Sequence, residues 1–394
     1  MNKKISLGLA ISLIAIASAV TFILTSFFSL QSFNEKVVDV NEKSKKYSSL
    51  QTIDSYVREH YYGEIDEELL SDGILKGYVS GLGDPYSRYL TAEEYQSELS
   101  EKSGELVGLG LTLTQDESGY IRIVDIMDES PVHESGLAAG DIITFVDGND
   151  VLLEGFEASM EALKGQEGTD ITITVRRDGI DKDYRFTRRS LEVHTVEGEM
   201  LSGYVGYIKI SSFKENTPQQ FKDVLERLNS NGAKAFVFDL RDNGGGLVTA
   251  LEECIDPLLP EGVVATAEYK DGHSETLVYS DESELDVPMA VIVNENTASA
   301  AELFAAALRD FEKAELVGVQ TYGKGVMQIT SEFSDGGAVV LTVAEYKTSK
   351  SECYNEVGLV PEYITENDDD ETVDEQYNKA IEVVKLAMNG ENVQ

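Results

Sequence analysis

Two residues in the segment from Met289 to Gln328 have side chains suited to acyl transfer. Ser299 lies between an apolar, β-branched run that predicts a strand and an alanine-rich run that predicts a helix. Lys324 follows twenty-five residues later, between Gly323 and Gly325. A serine hydroxyl becomes a good nucleophile when a neighbouring base removes its proton, and a lysine is such a base only when neutral. The pair therefore indicates a serine activated by a lysine.

The surroundings of both residues favour this chemistry but also allow simpler interpretations. A serine at a helix N-terminus lies where unpaired N–H groups stabilise a developing negative charge. Ser299 and Glu302, however, also form the S-x-x-E pattern of a capping box. Burial among apolar neighbours would lower the pKa of Lys324, whereas an exposed loop lysine would keep its charge. Gln328, four residues further on, has an amide able to hold the lysine amine.

Other catalytic classes find little support in the sequence. Residues 318–324 match the first seven positions of a phosphate-binding P-loop, but Gly325 and a β-type run replace the required Ser or Thr and helix. No HExxH motif is present, so we predict neither a metal site nor a cofactor. None of the histidines accompanies a G-x-S-x-G motif, which argues against a Ser-His-Asp enzyme. They are His60, His133, His194 and His273.

The stretches N-E-N-T-A-S-A-A-E-L and T-Y-G-K-G-V-M-Q, at this separation, resemble the catalytic core of the carboxy-terminal processing peptidases, also called tail-specific proteases. The resemblance implies Ser299 as the nucleophile and Lys324 as the general base. It also implies that Gln328 orients the lysine.

A second stretch, D-L-R-D-N-G-G-G-L, resembles the motif of this family that ends in N-P-G-G, with Gly244 where proline is usual. In the family, a glycine of this loop and the amide after the nucleophile line the oxyanion hole. The resemblance therefore implies Gly245 and Ala300 as oxyanion donors, with Gly244 and Gly246 as alternatives to Gly245. Residues 347–353 depart from the family's T-P-x-G pattern, which leaves the outer substrate groove undefined.

Residues 103–190 consist of short β-rich runs separated by glycines, with one helical run at 156–164. With S-P-V-H-E-S-G-L-A-A-G-D-I-I-T-F-V-D-G, this region resembles a PDZ domain. Such domains add a peptide end to a sheet edge and hold its carboxylate in a backbone nest. The matching loop offers the backbone of Leu109, Gly110 and Leu111. We predict further that Arg176 or Arg177, on the last strand of this domain, relays peptide binding to the catalytic residues.

Strands alternate with helices from about residue 191, which predicts an α/β domain with a largely parallel sheet. The predicted fold class is therefore α/β multidomain, with a transmembrane helix and helical arm, a β-rich PDZ domain and an α/β peptidase domain. Its predicted divisions are a membrane anchor at 1–34, a helical arm at 35–102, the PDZ domain at 103–190, the peptidase domain at 191–365, and an acidic link and C-terminal helix at 366–394.

The N-terminal stretch from Ile5 to Leu30 is apolar and contains no charged residue. At about 1.5 Å per residue, a helix of this length crosses a hydrocarbon core of roughly 30 Å. Because the apolar run continues past a cleavage-like Ala-Ser-Ala at 17–19, we predict an uncleaved single-pass anchor. The resemblance places the catalytic body on the extracytoplasmic side of the cell membrane.

Charge and cysteine content limit the partners. The formal net charge of −40 argues against nucleic acid, whose phosphates are bound by Lys and Arg. Cys254 and Cys353 form either one disulfide or two free thiols. Expected partners are proteins or peptides with accessible C-terminal tails. The arm serves either homodimer formation, as in the family, or as a spacer, and the sequence leaves open a regulatory protein.

We therefore predict a membrane-anchored serine endopeptidase that captures C-terminal tails through its PDZ domain and cleaves peptide bonds with a Ser-Lys dyad assisted by Gln. The alternative is a catalytically inert, membrane-anchored PDZ scaffold that only binds peptide C-termini. Competent residues at all three catalytic positions favour the enzyme.

Overall fold

The computed structural model describes residues 44–351, 353–367 and 373–391. The predicted anchor at 5–30 and most of the acidic link lie outside these residues. Within them, no helix combines the length and apolar character needed to cross a membrane. The chain divides into two compact units, Met1–Ile74 and Leu75–Gln394, which are described separately.

The described part of the first unit is helical. Residues 44–60 form helix α1, and α2 (Glu67–Ser80) begins after Asp66, whose carboxylate accepts the backbone N–H of Leu69. Arg58 pairs with Asp54 one turn back on α1 and with Glu67 on α2, which ties the two helices together. A groove of about 500 Å³ lies between them. Its apolar lining includes Val57, Tyr61, Ile65, Leu69 and Ile74.

The second unit contains a short strand and helix ahead of the β-rich domain. Strand β1 (Arg88–Leu90) pairs with the distant strand β18 (Ala338–Thr348). Helix α3 (Ala92–Ser103) begins with a capping box in which Thr91 and Glu94 bond each other's backbone N–H groups. Although β1 precedes the β-rich domain in sequence, it therefore belongs to a sheet of the C-terminal domain.

The β-rich domain is a sheet of order β3-β4-β5-β7-β8 with a β6 strand paired to β5. Alternate residues of its strands point inward, and Ile121, Ile123, Ile143 and Ile173 are fully buried. Strand β2 pairs separately with β9, and within the described part of the chain no strand pairs with the outer edge of β3. The strands are β2 (Glu105–Gly108), β3 (Leu111–Gln115), β4 (Ile121–Ile126), β5 (Ile142–Val146), β6 (Asn149–Asp150), β7 (Asp170–Arg177), β8 (Ile180–Thr187) and β9 (Arg189–Glu192). The helices are α4 (Val151–Glu154) and α5 (Phe156–Leu163).

The C-terminal domain is built on a sheet of order β10-β11-β12-β15-β16-β19. All neighbours pair in parallel except β10 and β11, which confirms the predicted largely parallel sheet. The strands are β10 (Val196–Leu201), β11 (Val205–Ile210), β12 (Ala235–Asp239), β15 (Met289–Val293), β16 (Ala314–Gly318) and β19 (Tyr363–Ile364).

Helices cover both faces of this sheet. Phe236, Phe238 and Val291 face the core shared with three helices, whereas Val237 and Ile292 face the core shared with a fourth. The helices of the first face are α6 (Thr217–Ser230), α7 (Val248–Ile255) and α8 (Ala300–Asp310), and that of the second is α9 (Glu375–Met388). Strands buried on both faces explain the continuous apolar runs in their sequences.

A separate antiparallel sheet, which the sequence did not predict as a unit, closes the domain. The long strand β18 pairs with β1, with β13 and with β17. Besides β1 and β18, this antiparallel sheet contains β13 (Gly262–Tyr269), β14 (Ser274–Ser280) and β17 (Val326–Glu332). In this sheet β1 and the strand that follows Lys324, β17, both pair with β18, one on each side of it.

Candidate active site

Ser299 lies on a sharp turn between β15 and α8. Its φ of 57° and ψ of −119° belong to a region that ordinarily requires glycine, and its side chain is 8% exposed. The preceding turn is held by Thr297, whose hydroxyl accepts the N–H of Asn294 and donates to the carbonyl of Leu240. Strained turns of this kind present a nucleophilic serine at the top of a sheet.

Glu302 joins the turn that carries Ser299, residues 294–299, to the loop that carries Lys324, residues 321–325. These segments are called the serine turn and the lysine loop. Its carboxylate is fully buried, and Oε2 accepts the backbone N–H groups of both Ser299 and Lys324 at 2.8 Å. Oε1 accepts the hydroxyl of Thr321 at 2.6 Å and the N–H of Gly323 at 2.8 Å. One side chain therefore fixes the main chain at both predicted catalytic residues, a function beyond the helix cap that the S-x-x-E pattern indicated.

The lysine loop is held on its other side by residues 353–359. The N–H of Gly325 donates to Asn355 Oδ1 at 3.1 Å, and the carbonyl of Gly323 accepts the N–H of Glu356 at 2.8 Å. A Cβ atom at Gly323 would lie 2.8 Å from the nitrogen of Gly358, and one at Gly325 would lie 2.7 Å from that of Asn355. The two glycines flanking Lys324 are therefore required by close backbone packing.

The side chain of Lys324 is half-buried and lacks an ion pair with any described carboxylate. Burial lowers its pKa and the charge of Arg88 lowers it further, against the opposing effects of Asp84 and Glu302. Nζ lies 4.9 Å from the ring centroid of Tyr86. A lowered pKa increases the fraction of neutral amine, which a general base requires.

Gln328 does not bond the lysine amine within the described residues. It faces Thr342 across the β17–β18 pair, and its Nε2 donates to Thr342 Oγ1 at 3.2 Å and to the carbonyl of Val326 at 3.3 Å. The separation of four residues predicted that the Gln328 amide lies near the Lys324 amine. The pairing of β17 with β18 instead gives this amide Thr342 as its partner.

Residues 242–246, the glycine loop that follows β12, pack directly against the serine turn. Gly245 has a φ of 100°, and a Cβ atom there would lie 2.8 Å from the Cβ of Ser299 and 2.9 Å from the nitrogen of Ala300. The N–H of Gly245 donates to Asn243 Oδ1 at 2.8 Å. The N–H groups of Gly244, Gly246 and Ala300, in contrast, have no acceptor in the part of the chain that the structure describes.

The D-L-R part of the same motif forms a buried network that the sequence did not predict. Asp239 is 1% exposed and accepts the guanidinium of Arg241 and the hydroxyl of Tyr207. Arg241 also pairs with Asp374 at the start of α9. Burial, followed by the charge of Asp239, raises the pKa of Tyr207, so its hydroxyl remains a donor. This network fixes the strand end from which the glycine loop departs.

The predicted peptide-binding loop lines a small cavity of about 120 Å³ in the β-rich domain. Gly110 has a φ of 62°, and the carbonyl of Leu109 accepts the hydroxyl of Ser130 at 2.5 Å. No described group accepts the N–H of Leu109 or of Gly110. Leu111 also lines the cavity. The other lining residues include Leu113, Met160, Leu163 and Lys164.

Arg176 and Arg177 lie on β7 and bind carboxylates of their own domain; because β8 follows β7 in the same sheet, the prediction that they lie on its last strand is wrong. Arg176 pairs with Asp181 on β8 and lies over the Tyr120 ring. Arg177 forms two hydrogen bonds with Asp141. Among the described residues, no hydrogen bond or ion pair joins either arginine to Ser299 or Lys324. The structure also leaves Cys254 and Cys353 as free thiols.

Three protein-family models match the chain. The model described as Peptidase family S41 matches residues 204–365, and the PDZ domain model matches residues 107–186. A third, described as the activating protease CtpB N-terminal domain, matches residues 14–94.

Individual proteins similar to this chain are described as carboxy-terminal processing or CtpA-like proteases. The carboxy-terminal processing protease CtpA of Bacillus subtilis (strain 168) is 31% identical over 365 residues, which cover 92% of this chain and 77% of that protein. A probable CtpA-like serine protease of Staphylococcus aureus (strain COL) is 30% identical over 360 residues, or 90% and 71% of the two chains. The solved structure of a photosystem II D1 C-terminal processing protease aligns with a TM-score of 0.51 at 23% identity, over 85% of this chain and 90% of that one. At this identity the solved structure supports the fold alone.

Proposed function

Because the chain belongs to the carboxy-terminal processing proteases of peptidase family S41, and is a serine-type peptidase with a PDZ domain, we propose that Ser299 is its nucleophile and Lys324 its general base. Lys324 accepts the Ser299 proton as the hydroxyl attacks the scissile carbonyl. The lysine then donates that proton to the leaving amine, and water hydrolyses the acyl-enzyme. The observation that carries the proposal is the Glu302 carboxylate, which bonds the backbone of both residues.

The oxyanion in this mechanism lies at the N-terminus of α8. The Ala300 N–H supplies one donor, since it has no acceptor among the described residues. The second donor comes from the glycine loop, as the Gly245 contact with Ser299 supports. Because the N–H of Gly245 itself is bonded to Asn243, we assign the second donor to its neighbour Gly246. Loss of one such donor costs about 2.7–4 kcal/mol of transition-state stabilisation.

Gln328 is proposed to orient the Lys324 amine, which requires its amide to leave Thr342. The peptide substrate is proposed to bind first through its C-terminus. Its carboxylate meets the N–H groups of Leu109 and Gly110, which have no acceptor among the described residues, and its backbone extends the edge of β3 that pairs with no described strand. The apolar lining beyond Leu111 favours an apolar terminal side chain. Proteins with accessible C-terminal tails are therefore the proposed substrates.

The decisive experiment is cleavage of an unfolded reporter protein by the full-length chain in detergent. Ser299→Ala and Lys324→Ala are each expected to lower kcat/KM by about a thousandfold or more, because catalytic units of this kind fail as a whole. Ser283→Ala and Lys270→Ala, at exposed positions, are the matched controls. Cleavage that survives in both catalytic variants would exclude this mechanism. An inert wild type that still binds C-terminal peptides would favour the scaffold.

The apolar stretch at 5–30 is proposed to anchor the protein in the cell membrane, with the catalytic body outside. Alkaline extraction of membranes tests the anchor. If the stretch at 5–30 spans the membrane, the chain remains in the membrane pellet. Protease protection of intact cells tests the orientation, since an extracytoplasmic body is digested without lysis. Release of the full-length chain by alkali would contradict the anchor.

The helical arm is proposed to form a homodimer. It exposes large apolar side chains, and such surfaces on helices commonly pack against a partner. They include Tyr47, Ile53, Tyr56, Tyr61 and Leu69. Sedimentation equilibrium of the full-length chain, beside an Ile53→Asp, Leu69→Asp variant, distinguishes a dimer from a spacer. A monomeric wild type would exclude the dimer.

The arginine relay is tested by comparing basal and peptide-stimulated cleavage in Arg176→Ala and Arg177→Ala. If one arginine carries the signal, its variant keeps basal activity and loses stimulation. Equal stimulation of both variants and the wild type would exclude the relay. A regulatory protein would be sought only if the wild type has no basal activity.

A further inference from the structure

The segment from Asp84 to Ser87, in the sequence D-P-Y-S, places an aromatic ring on the amine of Lys324. The ring belongs to Tyr86, and its centroid lies 4.9 Å from Nζ. More than two hundred residues separate Tyr86 from Lys324 in the sequence. The ring is half-buried, and the mechanism described above does not use it.

The backbone of this segment is fixed from two sides. Asp84 Oδ1 accepts the N–H of Tyr86 at 3.1 Å, and the other oxygen accepts the hydroxyl of Ser87. Ser87 Oγ in turn accepts the N–H of Thr342 at 3.1 Å. Immediately after Ser87, β1 begins its pairing with β18 at Arg88 and Val340. The position of the ring is therefore built into the fold and is not a chance surface contact.

The contact favours the charged form of the lysine. An ammonium is attracted to the face of an aromatic ring, whereas a neutral amine is not. Burial and a hydrogen bond to Tyr322 raise the pKa of the Tyr86 hydroxyl, so the ring itself is neutral. The charged groups that also act on Lys324 are Arg88 on β1, Asp84 on the same segment and Glu302 on α8. Of these, only Arg88 opposes the charged form.

The same segment is linked to the partner of Gln328. The amide of Gln328 donates to the hydroxyl of Thr342, and the backbone N–H of Thr342 donates to Ser87 Oγ. A shift of the segment would therefore act on the ring over the Lys324 amine and on the Thr342 partner of Gln328 together. Both changes are needed for a neutral lysine oriented by Gln328.

We propose that Tyr86 is a positioning residue that holds Lys324 in a protonated resting state, and that the Asp84–Ser87 segment moves the ring off the amine before Lys324 acts as the base. This inference rests on the proposed role of Lys324 as the general base. Its effect is on the protonation of the lysine, so it is visible in the pH dependence of cleavage.

The first test compares the full-length wild type with Tyr86→Leu and Tyr86→Phe in the pH profile of kcat/KM. Removing the ring is expected to shift the acid limb to lower pH by about 0.5–1.5 units, given the usual strength of such contacts. Below that limb, kcat/KM of Tyr86→Leu should rise by about 3- to 30-fold. Tyr86→Phe keeps the ring and should match the wild type. Tyr62→Leu, on a fully exposed tyrosine, controls for the substitution itself.

A second measurement does not depend on cleavage. In a Ser299→Ala background, mass spectrometry follows reductive methylation of Lys324 against pH, since only the neutral amine reacts. Tyr86→Leu should move the midpoint of this reaction to lower pH, while Tyr86→Phe should not. An unchanged midpoint in Tyr86→Leu would overturn the proposal, and so would a shift to higher pH. Cleavage by Lys324→Ala would instead overturn the assignment of the base.

Discussion

The ionisable side chains of Glu302 and Lys324 are held in opposite ways. Glu302 is fully buried, and four donors from the serine turn and the lysine loop satisfy its carboxylate. Lys324 is half-buried, with no ion pair among the described residues and only an aromatic ring against its amine. Burial lowers the pKa of this lysine.

The comparison shows that one group positions the proposed catalytic residues and that another carries the proton: Glu302 holds the main chain, and the amine of Lys324 is the proposed base. The carboxylate of Glu302 fixes the main chain at Ser299 and Lys324. In the proposed mechanism the amine of Lys324 loses and regains a proton in each cycle, which suits an environment that stabilises its charge only weakly. A buried charge is tolerated when hydrogen bonds satisfy it, and a poorly paired charge becomes a base.

Glu302→Ala should have the largest effect because it removes the acceptor of four donors. We expect kcat/KM to fall by about a hundredfold or more, since small misplacements of catalytic groups cost that much. The free energy of unfolding should fall by about 3 kcal/mol or more, because the buried donors lose their acceptor. Reporter cleavage and urea unfolding measure both quantities. Glu312→Ala, at an exposed glutamate, should change neither, and an active, stable Glu302→Ala would refute the bridging role.

Gly245→Ala should be the next most harmful change. The new Cβ would lie 2.8 Å from the Cβ of Ser299, at a φ of 100° that disfavours a side chain. We expect kcat/KM to fall between about ten- and a hundredfold through displacement of the serine turn. Gly244→Ala is the matched control, because a Cβ there meets nothing within 4 Å. Equal activity in the two variants would show that the serine turn does not depend on this packing.

Lys324→Met should abolish cleavage yet raise the free energy of unfolding by about 1 kcal/mol at neutral pH, as is common when a functional charge is removed. The wild-type pKa is lowered in the folded protein, so the folded state disfavours the bound proton. The free-energy penalty on protonated Lys324 in the folded protein is fully present below the pKa of Lys324 in the folded state. It disappears as the pH rises past the pKa of lysine in the unfolded state, about 10.4. Urea unfolding at pH 7 and above pH 10 should therefore show the gain only at pH 7. A gain of equal size at both pH values would contradict a burial penalty on the charge, and exposed Lys270→Met provides the control.

Gly244→Pro should have the smallest effect. A Cβ atom at Gly244 would meet nothing within 4 Å, and no described acceptor bonds its N–H. Proline should therefore raise the free energy of unfolding by about 0.4–1 kcal/mol by restricting the unfolded chain. We expect kcat/KM to stay within about twofold, since Gly246 supplies the oxyanion donor in the proposed mechanism. A strong loss of activity in a stable variant would transfer that role to the Gly244 N–H.

The local sequence predicted several features of the site because they depend on short segments. An apolar run before Ser299 and alanines after it gave a strand and a helix with the serine between them. Alternating strands and helices gave a largely parallel sheet. The glycines beside Lys324 are visible in the sequence, and the structure shows what packs against them. The S-x-x-E pattern marked Glu302, but only as a cap.

The remaining features depend on contacts between distant segments. The pairing of β17 with β18 gives Gln328 a partner in Thr342 that its spacing from Lys324 did not suggest. The Asx-type bond from Gly245 to Asn243 occupies an amide that the motif alone assigned to the oxyanion hole. The roles of Ser299, Lys324, Gln328 and the PDZ loop remain predictions until they are measured.

The sequence by itself determined which residues could perform the chemistry and which short elements carry them, because side-chain type and local periodicity are properties of the chain. Only the tertiary structure decided that one carboxylate connects Ser299 to Lys324, and that Tyr86 lies on the lysine amine. Those contacts form where the antiparallel sheet and α8 meet, and they depend on the packing of whole elements. Packing of that kind also sets the burial of Lys324, and with it the direction in which its pKa moves.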